Sequence, residues 1–212
     1  MRITSSITPM YDGIYDIYLS NDNIRLKDCF PNNYDEVQMK KISIKVYDDD
    51  ADEEGIFVAY MELHLMYVSD ELIDLADAQN TDLGSAMTQL HLVSKHLDTE
   101  DEDYGTTYGY IHVLYIKPEY RQKGISSFLL NNLADILDIY HGIMNLSMVA
   151  TCKHITDITV DEENDVVHVG YSDRMEAEDV EKLKIMGTNL TRNGFDLCTK
   201  SNNNWYYRRY DK

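Results

Sequence analysis

The sequence is short of several things, and each shortage excludes something. Its 212 residues hold only three prolines and three cysteines. So few prolines argue against a proline-rich linker or an extended repeat. The cysteines, at 29, 152 and 198, are odd in number and widely spaced, with no CxxC pair. That excludes a disulfide-dense scaffold and a zinc ribbon, and predicts reduced thiols in a cytoplasmic setting. Basic residues number 19 against 38 acidic ones, a net charge of -19. Such a balance disfavours simple binding to nucleic-acid phosphates and favours a cationic partner. No apolar run approaches the ~20 residues of a membrane span, and residues 1–10 lack the apolar stretch of a secretory signal. A soluble protein, away from membranes, is expected.

Phe and Trp are also scarce, at four and one, but there are 17 tyrosines. Tyrosine packs its ring in a sheet and keeps its hydroxyl wet. The acidic residues gather in runs at 48–54, 98–103 and 161–165. Like charges in a row repel one another and resist burial, so each run is read as a solvated loop.

Between those loops the pattern alternates. Residues 14–19 form a possible strand, followed by a turn near Pro31. At 41–47, Ile42, Ile44 and Val46 fall on one side, which predicts a strand, and 56–68 predicts a long partner strand. From 70 to 97 the spacing is helical, after a capping Ser69. Residues 108–116 are aromatic and β-branched, and Pro118 ends that strand. Past Gly124 the apolar residues follow a period of 3.6 to Tyr140. Strands at 143–152, 155–160 and 166–171, a helix at 175–192, and strands at 195–200 and 205–210 complete the chain. The expectation is one α+β domain over 1–212, with a helical insertion at 69–105 and a hairpin insertion at 153–172.

The segment Ile116-Lys-Pro-Glu-Tyr-Arg-Gln-Lys-Gly-Ile-Ser126 concentrates chemistry. A strand ends, a short loop carries Arg121, Gln122 and Lys123, and Gly124 opens a helix. The first N–H groups of a helix lack intrahelical partners, and the helix dipole is positive there. With a glycine and two cations, the turn is suited to an anion such as a pyrophosphate.

This segment resembles the cofactor turn of the GNAT (Gcn5-related N-acetyltransferase) superfamily, Arg/Gln-x-x-Gly-x-Gly/Ala after a strand ending Val-x-Pro. Here the pattern is Ile116-Lys117-Pro118, then Arg121-Gln-Lys-Gly124-Ile-Ser126, with Ser126 replacing the small Gly or Ala. Phe128-Leu-Leu130 and the late Gly194-Phe195 are similar to the family's helix and helix-to-strand junction. The resemblance implies a GNAT-like, mostly antiparallel twisted sheet with splayed parallel strands. It implies acetyl-CoA as cosubstrate, held along Leu114, Tyr115 and Ile116 and by the turn of Arg121, Gln122, Lys123, Gly124, Ile125 and Ser126. It also implies acetyl transfer to a primary amine of a basic small-molecule or protein acceptor. The alternative is an interaction or inhibitor protein of the same fold, catalytically inactive, acting through its acidic surface on a basic partner such as a nucleic-acid-binding protein.

Acetyl transfer to an amine needs a base for the amine and a proton for the leaving thiolate. Tyr110 and His112 lie on the strand before the turn, and the period of two places them on one face with Leu114 and Ile116. No carboxylate stands near Tyr110, where some family members have one. His112, Tyr110 and Glu62 are therefore the catalytic candidates, with His64 beside them. The family's Tyr four residues before the late Gly, the acid toward the thiolate, is Leu190 in this chain, so that acid is absent or comes from another Tyr, such as Tyr171. His154 and His168 flank the second hairpin, but no metal is assigned. A homodimer through exposed sheet edges is compatible with the pattern.

Overall fold

A computed structural model describes residues 2–9, 39–48, 56–67, 73, 76–77, 81–96, 107–143, 146–152, 156–161, 166–171, 177–198 and 205–210. The elements, in order, are β1 (Arg2–Pro9), β2 (Met39–Asp48), β3 (Ile56–Tyr67), α1 (Thr81–His96) and β4 (Thr107–Ile116). A 3-10 turn (Pro118–Tyr120), α2 (Ile125–Asn131), α3 (Leu133–His141) and β5 (Leu146–Cys152) follow. The chain continues with β6 (Thr156–Asp161), β7 (Val166–Tyr171), α4 (Ala177–Arg192), β8 (Asp196–Leu197) and β9 (Trp205–Arg209).

Seven strands form one sheet in the order β1-β2-β3-β4-β5-β9-β8, and β6-β7 form a separate hairpin. Every neighbouring pair is antiparallel except β4 and β5. A parallel pair needs a crossover, and the turn with α2 and α3 supplies it.

The first face of the sheet is continuously apolar. Ile42, Ile44 and Val46 of β2, Ala59, Met61, Leu63 and Leu65 of β3, Ile111 of β4 and Val149 of β5 pack there. Leu129, Leu130, Leu133, Ile136 and Leu137 of the crossover helices cover them, with Leu190 and Phe195 from the α4 junction. Full burial of such a side chain is worth about 1.5–3 kcal/mol.

The second face is divided. At one end α1 lays Leu83, Ala86, Met87 and Leu90 over Tyr108, Tyr110, Met148, Ala150 and Trp205. At the other, Tyr47, Phe57, Tyr60 and Val113 form a smaller cluster, against which Tyr115 and Ile158 of the β6–β7 hairpin pack.

Most predicted elements are present with ends shifted by a few residues, but the helical stretch at 70–97 is continuous only from Thr81 among the described residues, and the helix after Gly124 is divided at Asn132 into α2 and α3. β1 is absent from the sequence reading. Its Ile3 and Ile7 stand four apart without strict alternation, and as the edge strand it needs only the β2 ladder. The predicted strand at 195–200 contracts to Asp196–Leu197. Residues 14–19, the Ser69 cap, Cys29 and His154, and most of the three acidic runs, lie outside the described residues.

One expectation about facing is overturned. Leu63 pairs with Ile111, yet Glu62 pairs with Val113, so His112 is an extra residue in β4. A bulge of this kind reverses the alternation beyond it. Tyr110 therefore joins the α1-covered face, while Leu114 and Ile116 pack on the opposite, crossover-covered one. The four do not share a face.

Candidate active site

β4 and β5 pair from Thr107–Leu146 to Ile111–Thr151, with a register shift between Thr107 and Tyr108, and no further among the described residues. The Thr151 hydroxyl closes the ladder by donating to the Ile111 carbonyl at 3.2 Å. β4 itself runs on to Ile116, still paired with β3 through Leu114–Met61, Tyr115–Tyr60 and Ile116–Ala59. Side chains fasten this extension on both faces. Leu114 and Ile116 pack into the first face, and Tyr115 packs against the Tyr47–Phe57–Tyr60 cluster. Alternate backbone groups of the extension turn toward the edge from which β5 has departed. That edge is a strand-shaped row of donors and acceptors, suited to an extended amide-bearing arm.

The turn beyond it is fixed by short bonds. The Lys117 N–H donates to the Val58 carbonyl at 2.9 Å, and the 3-10 turn closes from Tyr120 N–H to Lys117 O at 2.9 Å. Arg121 Nε donates to the Ile116 carbonyl at 3.1 Å, tying the turn to the end of β4. The Lys123 ammonium lies 4.4 Å from the centre of the Tyr120 ring. Gln122 has φ +61° and Gly124 has φ +82°. Left-handed residues alternating with right-handed ones can aim successive N–H groups into one anion-binding concavity, and Gln122 and Gly124 supply two left-handed positions within three residues. A non-glycine residue such as Gln122 is uncommon in that region. Gly124 precedes Ile125 as the N-cap of α2, and nothing lies within 4 Å of where a Cβ on it would stand. The turn is exposed from Arg121 to Gly124. These residues fit a pyrophosphate: paired cations, amides in a nest, and open space over the glycine.

The far side of α2 is held by a polar network. Arg208 Nη1 donates to the carbonyls of Leu130 and Asn193 at 3.1 and 2.8 Å and to Asn131 Oδ1 at 2.7 Å. Asn193 Nδ2 reaches Asn189 O at 2.8 Å, and Asn189 Nδ2 reaches Ser126 Oγ at 3.4 Å. β9, α4 and the start of α2 are thus stitched together. Sequence reasoning missed Arg208, Asn189 and Asn193, because contacts between residues so far apart leave no local pattern.

The catalytic candidates do assemble. Glu62 and His64 are not the solvent face of β3; both are buried. Glu62 Oε2 receives Lys41 Nζ at 2.8 Å and the Tyr60 hydroxyl at 2.9 Å. His64 Nε2 lies 3.0 Å from Glu62 Oε1. Burial raises the pKa of a carboxyl group, but donors from His64, Lys41 and Tyr60 outweigh it here and bring Glu62 to about 2. Burial also pushes the Tyr60 hydroxyl well above its usual range. A carboxylate so reluctant to take a proton is a poor general base near neutrality. Glu62 is better suited to anchoring its neighbours.

His112, half-buried, is the first β4 residue past the last β4–β5 pair. Its ring stacks on His64, with centroids 5.0 Å apart and planes 21° from parallel. Tyr110 meets His112 edge-on at 5.6 Å and tilts against Trp205 at 5.7 Å. An imidazole at this position has a ring nitrogen that can accept a proton. Leu190 is buried in the core of the first face, so its position offers no proton donor. The Tyr171 side chain lies outside the described residues, and His168 is exposed on the hairpin. Among the described residues no group of His, Cys, Asp and Glu is arranged to hold a metal, and no helix is long and apolar enough to cross a membrane. Cys198 is buried without a disulfide, and burial lifts its thiol to about 11.

Residues 25–154, more than half of the chain, match the sequence profile of the acetyltransferase (GNAT) family. No curated protein sequence matches. Solved structures resemble the chain at low identity. A bacterial toxin is 10% identical, with 98% of this chain and 90% of that one covered and a TM-score of 0.42. NAA60 of Arabidopsis thaliana in complex with acetyl-CoA is 14% identical, with 99% and 100% covered and a TM-score of 0.38. AtaT complexed with acetyl-methionyl-tRNAfMet is 9% identical, with 98% and 95% covered and a TM-score of 0.38. The family match, not these distant likenesses, carries the assignment.

Proposed function

The chain belongs to the acetyltransferase (GNAT) family, and we propose that it transfers an acetyl group from acetyl-CoA to a primary amine of a basic acceptor. The observation that carries this reading is the parting of β4 from β5 at Ile111–Thr151, directly before a nest-like turn at Arg121–Ser126.

Acetyl-CoA is the family's cosubstrate and supplies an activated acetyl thioester when bound. The backbone of Leu114, Tyr115 and Ile116 offers the edge for its pantetheine arm. The amides of Gln122 to Ser126, with the Arg121 and Lys123 cations, offer the cradle for its pyrophosphate. His112 accepts the proton of the acceptor amine, directly or through a water. Tyr110 shapes the wall beside it, and Glu62 holds its charge rather than moving a proton. A net charge of -19 draws a small amine, a polyamine or a lysine-bearing protein. The chain is proposed to act in the cytoplasm as one domain, with residues 69–105 and 153–172 as insertions.

The second reading, an inactive interaction protein acting on a basic partner, is favoured by one observation. Leu190 fills the core where the family's acidic Tyr is expected.

Thermal melting with acetyl-CoA tests the first half. A native-state ligand at 100 times its Kd stabilises by about 2.7 kcal/mol, so a clear rise in Tm is expected. No rise at millimolar acetyl-CoA overturns the cofactor reading. Gly124→Val should abolish the rise while the protein stays folded, and an undiminished rise in that variant rejects the cradle. Thiol release with a panel of polyamines and lysine peptides tests the second half. Binding without release favours the interaction protein.

A further inference from the structure

A line of polar side chains crosses the second face of the sheet and ends at His112. It begins at Lys41 on β2 and Tyr60 on β3, which both reach Oε2 of Glu62. It passes through Glu62 Oε1 to His64 Nε2. It ends in the stack of His64 on His112, with Tyr110 edge-on to both rings at 5.9 and 5.6 Å.

Two features of this line are poorly explained by stability alone. A buried carboxylate–imidazole pair is costly to desolvate, and an apolar pair of like volume is often as stable or more so. Among the described residues, moreover, His64 Nδ1 has no hydrogen-bond partner although the residue is buried. Unsatisfied buried nitrogens are rare and ask for a reason.

The bulge bears on the far end of the line. His112 is the extra residue of β4, so the ladder with β3 does not fix it as it fixes Tyr110 or Val113. The next residues have no β5 partner in register. The His64 ring stacks on His112 from the side and can set its plane.

We propose that Glu62 and His64 are positioning residues: the carboxylate locks the His64 ring through Nε2, and that ring sets the plane in which His112 stands at the parting of β4 and β5. This rests on the reading of His112 as the base, but the locking itself belongs to the folded chain and is measurable without an acceptor. The titratable groups facing His112 among the described residues are His64 and Tyr110 in ring contact, and Glu62, Tyr60 and Lys41 behind His64. On the same face the Tyr110 cluster adds Met87 of α1, Ala150 of β5 and Trp205 of β9, which do not ionise, and Tyr108 of β4, Cys198, and Tyr207 of β9, which do.

The test is proton NMR of the His112 ring, assigned by its loss in His112→Gln, across a pH titration. Two variants are compared with the unaltered chain. Glu62→Gln keeps the size of the side chain and removes its charge and its tie to His64 Nε2. His64→Phe keeps a ring to stack and cuts the link to Glu62. In both, the His112 ring resonances are expected to move, because the ring currents of residue 64 and Tyr110 report its plane. In Glu62→Gln the His112 titration midpoint is expected to fall by about half a pH unit or more, as a nearby negative charge is lost. Folded variants with resonances and midpoint unchanged overturn the proposal. If Glu62→Gln does not fold, His64→Phe decides; if neither folds, the line is structural and the proposal is likewise overturned. Acetyl-CoA added to the same samples should raise Tm equally in all three proteins. An unaltered chain that shows no such rise rejects the acetyltransferase reading, while the NMR result still decides the line from Glu62 to His112.

Discussion

The two faces of the central sheet are built on different terms. The first is a single apolar layer, from Ile42 on β2 to Val149 on β5, closed by α2, α3 and the α4 junction. The second is two apolar patches with charge between them: the α1 patch around Tyr110, the Tyr47–Phe57 patch, and the Lys41–Glu62–His64 line. The first face holds the crossover rigidly, so that the turn at Arg121–Gly124 stands at a fixed place. The second carries groups that bind or exchange protons, which a fully apolar layer does not allow. On the proposed reading, the cofactor turn is braced from the first face and His112 is oriented from the second.

Substitutions can break that contrast. Phe195→Ala, at the closed end of the first face, should cost about 3–5 kcal/mol in chemical denaturation; a cost below about 1 kcal/mol would mean that this face is not a tight core. The second face should instead answer to acid. Glu62 has its folded pKa near 2, below its ordinary 4.5. Its stabilisation is therefore complete above about pH 5 and lost as pH falls toward 2. On a scale of about 1.4 kcal/mol per pKa unit this amounts to roughly 3 kcal/mol as an upper figure. The stability difference between the unaltered chain and Glu62→Gln should shrink over that window; a difference flat from pH 6 to 3 would contradict the line of donors. Arg208→Met should lose about 1–2 kcal/mol, since its charge-assisted bonds are partly exposed. It should also weaken acetyl-CoA binding through the tilt of α2, read as a smaller melting shift. Ile139, 77% exposed on α3, marks the outer limit: Ile139→Ser should change stability by no more than about 0.5 kcal/mol.

How much of this was legible beforehand follows the range of the interactions. The cofactor turn was readable because its parts are consecutive: Pro118 ends a strand, Gly124 starts a helix, and Arg121 and Lys123 lie between. The strand at 39–48 was readable because Ile42, Ile44 and Val46 alternate to one side, and that at 107–116 because its residues are aromatic and β-branched. The face of Tyr110 relative to Leu114 was misread, because a bulge is set by the pairing of β3 with β4 and has no mark in β4 alone. Glu62 and His64 alternate with Met61, Leu63 and Leu65 as solvent-facing residues would. Only their partners on β2 and β4 reveal them as buried. Arg208 was invisible for the same reason, since its acceptors lie some 15 to 80 positions away.

The bulge at His112 has one more consequence. A strand counts its residues by parity: odd to one side, even to the other. The added residue switches that parity midway, so β4 serves α1 with Tyr108 and Tyr110 and the crossover with Leu114 and Ile116, although all four numbers are even. Deleting His112 would do more than remove an imidazole. It would remove the bulge and leave Val113 opposite Glu62 and Leu114 opposite Met61, whereas a strand that kept all its residues without a bulge would send Leu114 and Ile116 toward the hairpin and Tyr115 into the aliphatic core. A single added residue in β4 thus acts as a reading-frame mark for the fold, and point substitution and deletion at 112 pose different questions.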